Sequence, residues 1–240
     1  ELSWESLSSG DFGEDAEKYM ADHLPFRDFF VGLAANAQRL MGLQVTKDIY
    51  VGDSGRLYEA PYRENAAATE SNMEAINAFA EKLGRKVDFM LVPSAGYMMQ
   101  EDISGLKDPY MDDELIAAAY GLAGEELRCI DLLEAFAGAD RGRLYYRTDH
   151  HWTAYGAWLA YREYMASLGR EGKAMEDYSL SYIPGFYGST YSRSCLWQTP
   201  PEDMEVWDDG GTYTVSFSDR EGEFHSLFFP ARLEEPDKYT

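Results

Sequence analysis

The sequence predicts an α/β fold with a largely parallel sheet covered by helices on both faces. Three observations carry this. Short runs rich in β-branched, aromatic and other apolar residues alternate with segments of helical periodicity, the order that gives parallel strands joined by crossover helices. Glycine or proline closes most of the segments. Across 240 residues, hydrophobic side chains make up 45% and aromatic ones 15%, enough to bury a substantial core and too many for a disordered chain.

Taken in order, Asp15 to Leu24 reads as a helix interrupted at Pro25, and a second helix starts at Phe26 and runs to about Leu40. Ile49-Tyr-Val and Arg56-Leu-Tyr flank Gly52-Asp-Ser-Gly55, the composition of a tight hairpin turn. Met73, Ile76, Phe79, Ala80 and Leu83 recur at helical steps and predict an amphipathic helix over Glu70 to Leu83, stopped by Gly84. Val87 to Val92, closed by Pro93, is expected to be a buried strand. Further expected elements are a helix over Asp112 to Tyr120, a strand over Leu127 to Asp131, a helical turn over Leu132 to Ala137 and a third strand over Arg143 to Arg147. A helix over Thr153 to Leu168 ends at Gly169. From Tyr178 onwards, Tyr-, Phe-, Thr- and Ser-rich runs between Pro-Pro and Gly-Gly suggest β-hairpins. Residues 1–46 therefore form an N-terminal helical segment packing on the core, 47–177 the α/β core and 178–240 a β-rich extension.

A formal charge of -22, with 21 basic against 43 acidic residues, argues against nucleic-acid binding and against attachment to an anionic membrane surface. No apolar run reaches the ~18–20 residues that cross a bilayer. No basic segment leads into an apolar one at the start, so any anchor or signal is expected upstream of Glu1. The two cysteines, Cys129 and Cys195, fit no zinc spacing; a single disulfide and two separate thiols are both open.

Reactive groups concentrate in Arg147-Thr-Asp-His-His-Trp-Thr153, between an expected strand end and a helix start, where the functional loops of parallel sheets gather. In an extended loop Asp149 and His151 project to one side and His150 to the other. An aspartate so placed accepts from one imidazole nitrogen, fixes the tautomer and leaves the other nitrogen as a general base. Trp152 would wall the pocket or stack on a sugar ring. The plainer reading is that Asp149 caps a helix and the histidines satisfy backbone groups. Metal binding is a third option, because aspartate and histidine are both ligands; adjacent histidines chelate poorly on a strand, and no second cluster of suitable spacing accompanies them.

Tyr146-Arg-Thr-Asp-His-His-Trp-Thr153 resembles the signature of the DHHW protein family, related to the alginate O-acetyltransferases of the SGNH-hydrolase superfamily. Leu24-Pro-Phe-Arg-Asp-Phe-Phe30, the Ile49 to Glu59 hairpin, Leu91-Val-Pro-Ser-Ala95 and Gly185-Phe-Tyr-Gly-Ser189 resemble other parts of the same family. The resemblance implies a three-layer α/β/α sheet and an Asp and a His, here Asp149 and His151, acting with a serine nucleophile. It places that serine in an Asp-Ser-Phe or Asp-Ser-Tyr element downstream of Trp152, which this sequence lacks, so the serine and at least one central strand are expected beyond Thr240. Ser54, in Gly52-Asp-Ser-Gly55, imitates a nucleophile motif, but a turn explains each of its residues. Ser94, after a strand end, and Ser189, near the histidines in sequence, are candidates to line the pocket with His150, Trp152 and Arg147. Arg147 would bind a substrate carboxylate or pair with the acid-rich surface.

The resemblance further implies transfer of acetyl groups to, or ester hydrolysis from, an exported polysaccharide outside the cytoplasm, with a membrane-bound O-acyltransferase as partner and no metal or organic cofactor. A glycan-binding or scaffold module without turnover is the alternative.

Overall fold

A computed structural model describes residues 27–41, 45–46, 48–106, 108–217 and 220–224. The expected helix over Asp15 to Leu24 lies outside them. Helix α1 (Arg27–Leu40) precedes a three-stranded antiparallel sheet of β1 (Val45–Thr46), β2 (Ile49–Val51) and β3 (Leu57–Glu59). The predicted hairpin is present, with Tyr50 opposite Tyr58. Its turn closes because Gly55 has φ +81°, a backbone conformation that costs glycine nothing.

Helix α2 (Ala66–Leu83) begins four residues before the apolar pattern suggests, because Asn65 caps it by accepting from Ala68 N at 3.1 Å. It ends at Gly84 in the left-handed conformation, as predicted. Strand β4 (Val87–Met90) then leads through the short α3 (Ala95–Met98) and α4 (Asp112–Gly121) to β5 (Leu127–Ile130), which pairs with β4 in parallel, Val87 opposite Leu127. Strand alternation gives this pair two apolar faces. Val87, Phe89 and Leu127 pack with Met73 and Ala80 of α2 and Ala119 of α4. Met90 and Ile130 pack on the other side with Phe136 of α5 (Leu133–Ala137) and with Tyr155 and Ala160 of α7 (Ala154–Ser167). Helices thus cover both faces, and the fold is α/β.

Among the described residues parallel pairing is confined to β4 and β5. The expected third strand over Arg143 to Arg147 does not form. Asp140 accepts from Gly142 N at 3.1 Å and starts the short helix α6 (Arg141–Leu144), leaving one antiparallel bridge, Tyr145 to Trp152. The apolar run Leu144-Tyr-Tyr mimics a strand in sequence, but a local cap wins. Helix α7 opens at Thr153, whose side chain accepts from Gly156 N at 3.2 Å. The C-terminal expectation of hairpins holds for β6 (Ser179–Phe186) with β7 (Glu202–Asp208) and for β8 (Val215–Phe217) with β9 (Arg220–Phe224). One helix, α8 (Ser189–Ser194), interrupts the connection between β6 and β7. Cys129 and Cys195 are not joined in a disulfide.

Candidate active site

The segment between Tyr145 and Trp152 is a closed loop. The Tyr145–Trp152 bridge and the Tyr146 N to His151 O bond (3.2 Å) draw its ends together, and the residues between them bend rather than extend. Three other parts of the chain hold it. From below, the buried Arg56 of the hairpin donates to Tyr145 O (2.7 Å) and Gly142 O (3.0 Å), and Leu57 N donates to Arg147 O (2.9 Å). Burial pushes the Arg56 guanidinium below its usual pKa. From the side, the Glu202 carboxylate at the start of β7 accepts from Arg147 N, Thr148 N (both 2.8 Å) and Thr148 Oγ1 (2.7 Å). From the third direction, Gly188 N donates to Thr148 Oγ1 at 3.1 Å, and Tyr191 N to Thr148 O at 2.9 Å. Thr148 is fully buried, and these bonds satisfy each of its polar groups.

This clamp presents Asp149, which is 5% exposed. Its Oδ1 accepts from His151 N at 2.8 Å and from His151 Nδ1 at 2.5 Å; its Oδ2 accepts from Ser189 N at 2.6 Å and Ser189 Oγ at 2.9 Å. Burial raises the pKa of this carboxyl, but the four donors outweigh it and hold the group below the usual carboxylate range. Gly188 is what lets Ser189 come so close. A Cβ there would lie 2.2 Å from Asp149 Cβ, so a side chain at 188 would displace the carboxylate.

In the neutral ring, donation from His151 Nδ1 to Asp149 leaves Nε2 as the acceptor nitrogen, and Nε2 takes no hydrogen bond among the described residues. His151 is the exposed member of the pair, with 65% of its side chain open to solvent. It stands on a cavity of about 550 Å³ that His150, Trp152, Ser94, Tyr58, Glu59, Tyr110, Asp112 and Tyr145 also line.

The expectation that His150 faces away from His151 is corrected. The two rings lie 4.0 Å apart at 35°, because alternation of sides holds for extended backbone and this loop is bent. His150 Nδ1 is 3.1 Å from Ser189 Oγ and 3.7 Å from Glu59 Oε1. Trp152 lines the cavity and packs against Phe136. Ser94 lines it too, but its Oγ caps α3 by accepting from Tyr97 N at 3.2 Å. Ser189 lies behind the Asp149–His151 pair rather than on the cavity; with its hydroxyl proton on Asp149, its Oγ is an acceptor toward His150. Arg147 points elsewhere, to Ser54 O at 2.9 Å, and forms no ion pair among the described residues. Ser54 itself donates to Asp102 Oδ2 at 2.6 Å and does not line the cavity.

Asp149, His150 and His151 also place one potential ligand atom each within 4.8 Å of one another. A metal ion would have to displace donors from Asp149, since both of its oxygens already accept two hydrogen bonds each. The donor set therefore fits an orienting carboxylate better than a metal ligand. Sequence reasoning missed Thr148, Gly188 and Glu202. The first sits in the motif and looks like filler; Gly188, about 40 residues further on, lies in the Gly185 to Ser189 string but with nothing to tie it to Asp149, and Glu202, about 55 residues on, carries no local signal.

Residues 50–182 match the family described as the SGNH hydrolase-like domain of acetyltransferase AlgX. The chain belongs to this family. No curated protein matches it. A DHHW family protein from Eubacterium siraeum superposes with a TM-score of 0.59 at 22% identity, over 68% of this chain and 55% of that one. PatB1 of Bacillus cereus gives 0.59 and 22%, over 75% of this chain and 65% of its own. The O-acetyltransferase domain of Pseudomonas putida AlgJ gives 0.50 and 18%, over 65% and 63%. At these identities the likeness is one of fold, the SGNH-like α/β fold, and the chain spans 55% to 65% of the length of these three structures. Among the described residues no helix is long and apolar enough to cross a membrane.

Proposed function

We propose that this chain carries the base half of an O-acetyltransferase or acetylesterase acting on an exported polysaccharide outside the cytoplasm. His151 is the general base and Asp149 the group that fixes its tautomer and stabilises the imidazolium. The observation that carries this reading is the 2.5 Å contact between Asp149 Oδ1 and His151 Nδ1, on a buried, multiply held carboxylate, with Nε2 left unbonded. Membership of a family named for an acetyltransferase, and likeness to an O-acetyltransferase domain, support acyl transfer as the reaction class.

In this mechanism Nε2 of His151 takes the proton of a serine as its oxygen attacks the acetyl carbonyl. The same proton then leaves with the departing alcohol, and an acetyl-serine remains. A sugar hydroxyl gives its proton to His151 and takes the acetyl group, and His151 passes that proton to the departing serine oxygen; water in place of the sugar gives acetate and hydrolysis. Among the described residues no serine hydroxyl bonds to His151. On the family resemblance, the nucleophile is taken to be a serine of an Asp-Ser-Phe or Asp-Ser-Tyr element. An N-terminal anchor and a membrane-bound O-acyltransferase supplying the acetyl group complete the proposal.

The same lack of a bonded serine favours a second reading, a glycan-binding protein without turnover. Release of a chromogenic leaving group from an acetyl ester by the full-length protein separates the two. His151→Ala is expected to lower turnover roughly 10²–10⁴-fold, the range for loss of a general base. Equal turnover by both proteins would remove His151 from the mechanism.

A further inference from the structure

The cavity beside His151 has a charge pattern that bears on which sugar enters it, given the reading above of that cavity as an acyl-acceptor site. Its lining carries two carboxylates, Glu59 and Asp112, against one arginine, Arg63. Asp112 is 7% exposed and accepts from Ser94 N at 2.5 Å; among the described residues it has no cationic partner. Glu59 is paired through Oε1 with Arg193 and lies 3.7 Å from His150 Nδ1, so Asp112 is the carboxylate of the lining that has no cation beside it among the described residues. Arg63 is solvent-exposed and forms no ion pair among the described residues, so its charge is screened by water rather than aimed inward. The phenols around the cavity report the same field. Burial raises the pKa of Tyr62, Tyr110 and Tyr145, and Asp112 raises all three further; Glu59 adds to this at Tyr62, where Arg193 opposes it, and Tyr50 and Glu59 add to it at Tyr110.

The rest of the lining suits an uncharged sugar. Trp152, Tyr62 and Tyr110 offer aromatic surface for the C–H faces of a pyranose, Leu91 and Ile116 are apolar, and Asn65 and Asn72 can bond hydroxyls from α2 and its cap. A uronate carboxylate placed here would be a second unpaired negative group beside Asp112, which is already desolvated. Its own desolvation would gain no buried cation in return.

We infer that the sugar bound in this cavity carries no carboxylate: it is a neutral or amino sugar that gives hydroxyl or ammonium protons to Asp112 and Glu59. A polyuronate binds there more weakly.

The test is calorimetric titration of the full-length protein with three oligosaccharides of equal length: a neutral β-glucan, its amino-sugar counterpart and an oligouronate. Binding of either of the first two at least about tenfold tighter than the oligouronate is expected. Asp112→Asn, which keeps the acceptor for Ser94 N, should narrow that ratio, and so should Glu59→Gln. The second variant serves if the first fails to fold. An oligouronate that binds as tightly as the others, a ratio that neither variant moves, or no binding by any of the three overturns the inference. Ester turnover is measured separately in the same samples. Loss of the catalytic reading therefore appears as a His151-independent turnover, whatever the binding ratio.

Discussion

Two regions of this chain place an aspartate beside hydroxyl or imidazole groups, and they behave in opposite ways. In the hairpin turn, Asp53 accepts from Ser104 Oγ, while Ser54 gives both its backbone N–H and its hydroxyl to Asp102, which also accepts from Tyr58 OH at 2.8 Å. Each polar group there ends on another part of the same turn and its neighbours. In the loop of residues 147–151 the hydrogen bonds run outward from Glu202 and Ser189 through Thr148 and Asp149, and end on an imidazole whose other nitrogen is unbonded. The first network consumes its reactive groups to hold a turn; the second spends its bonds on orienting one. The lesson is that a motif-like string has chemical meaning only when its last partner faces open space.

Gly188→Ala should break this contrast most severely. The added methyl has to push Asp149 away, at a cost of about 1–3 kcal/mol, and turnover of the full-length protein should fall at least about tenfold as the Asp149–His151 contact opens. Thermal melting and ester kinetics read the two effects; unchanged kinetics would mean that the clamp does not set the geometry of the dyad. Glu202→Ala removes the common acceptor of Arg147 N and Thr148 N and should lower stability by about 1–3 kcal/mol, read by urea unfolding.

The sign of the Asp149 shift gives a third prediction. Its folded pKa lies below the unfolded value near 3.8, so its stabilisation is in full force above that pH and is lost as pH falls through the lowered folded value. The difference in melting temperature between wild type and Asp149→Asn should be present in full at about pH 5 and shrink in more acid solution. A difference that instead grows below about pH 4 would contradict it. The smallest effect belongs to the hairpin: Ser54→Ala should cost about 0.5–1.5 kcal/mol and leave ester turnover unchanged. A loss of turnover there would reinstate Ser54 as a nucleophile.

How much of this was legible beforehand follows the range of the forces involved. Helices α2 and α7 were readable because apolar spacing and their glycine stops act within one or two turns. The Asp149–His151 contact was readable for the same reason, since its partners stand two residues apart. Alternation along an extended strand puts His150 opposite His151, but this loop bends, and the strand expected over Arg143 to Arg147 gives way to the cap at Asp140.

The sequence alone determined the alternation of strands and helices, the hairpin and the pairing of Asp149 with His151, all set by neighbours in the chain and by solvent. Only the tertiary structure decided that Arg56, Gly188, Ser189 and Glu202 converge on one loop and that the loop opens on a cavity lined by Glu59 and Asp112. Those contacts join positions some 40 to 90 residues apart, and only packing of the whole core brings them within hydrogen-bonding range.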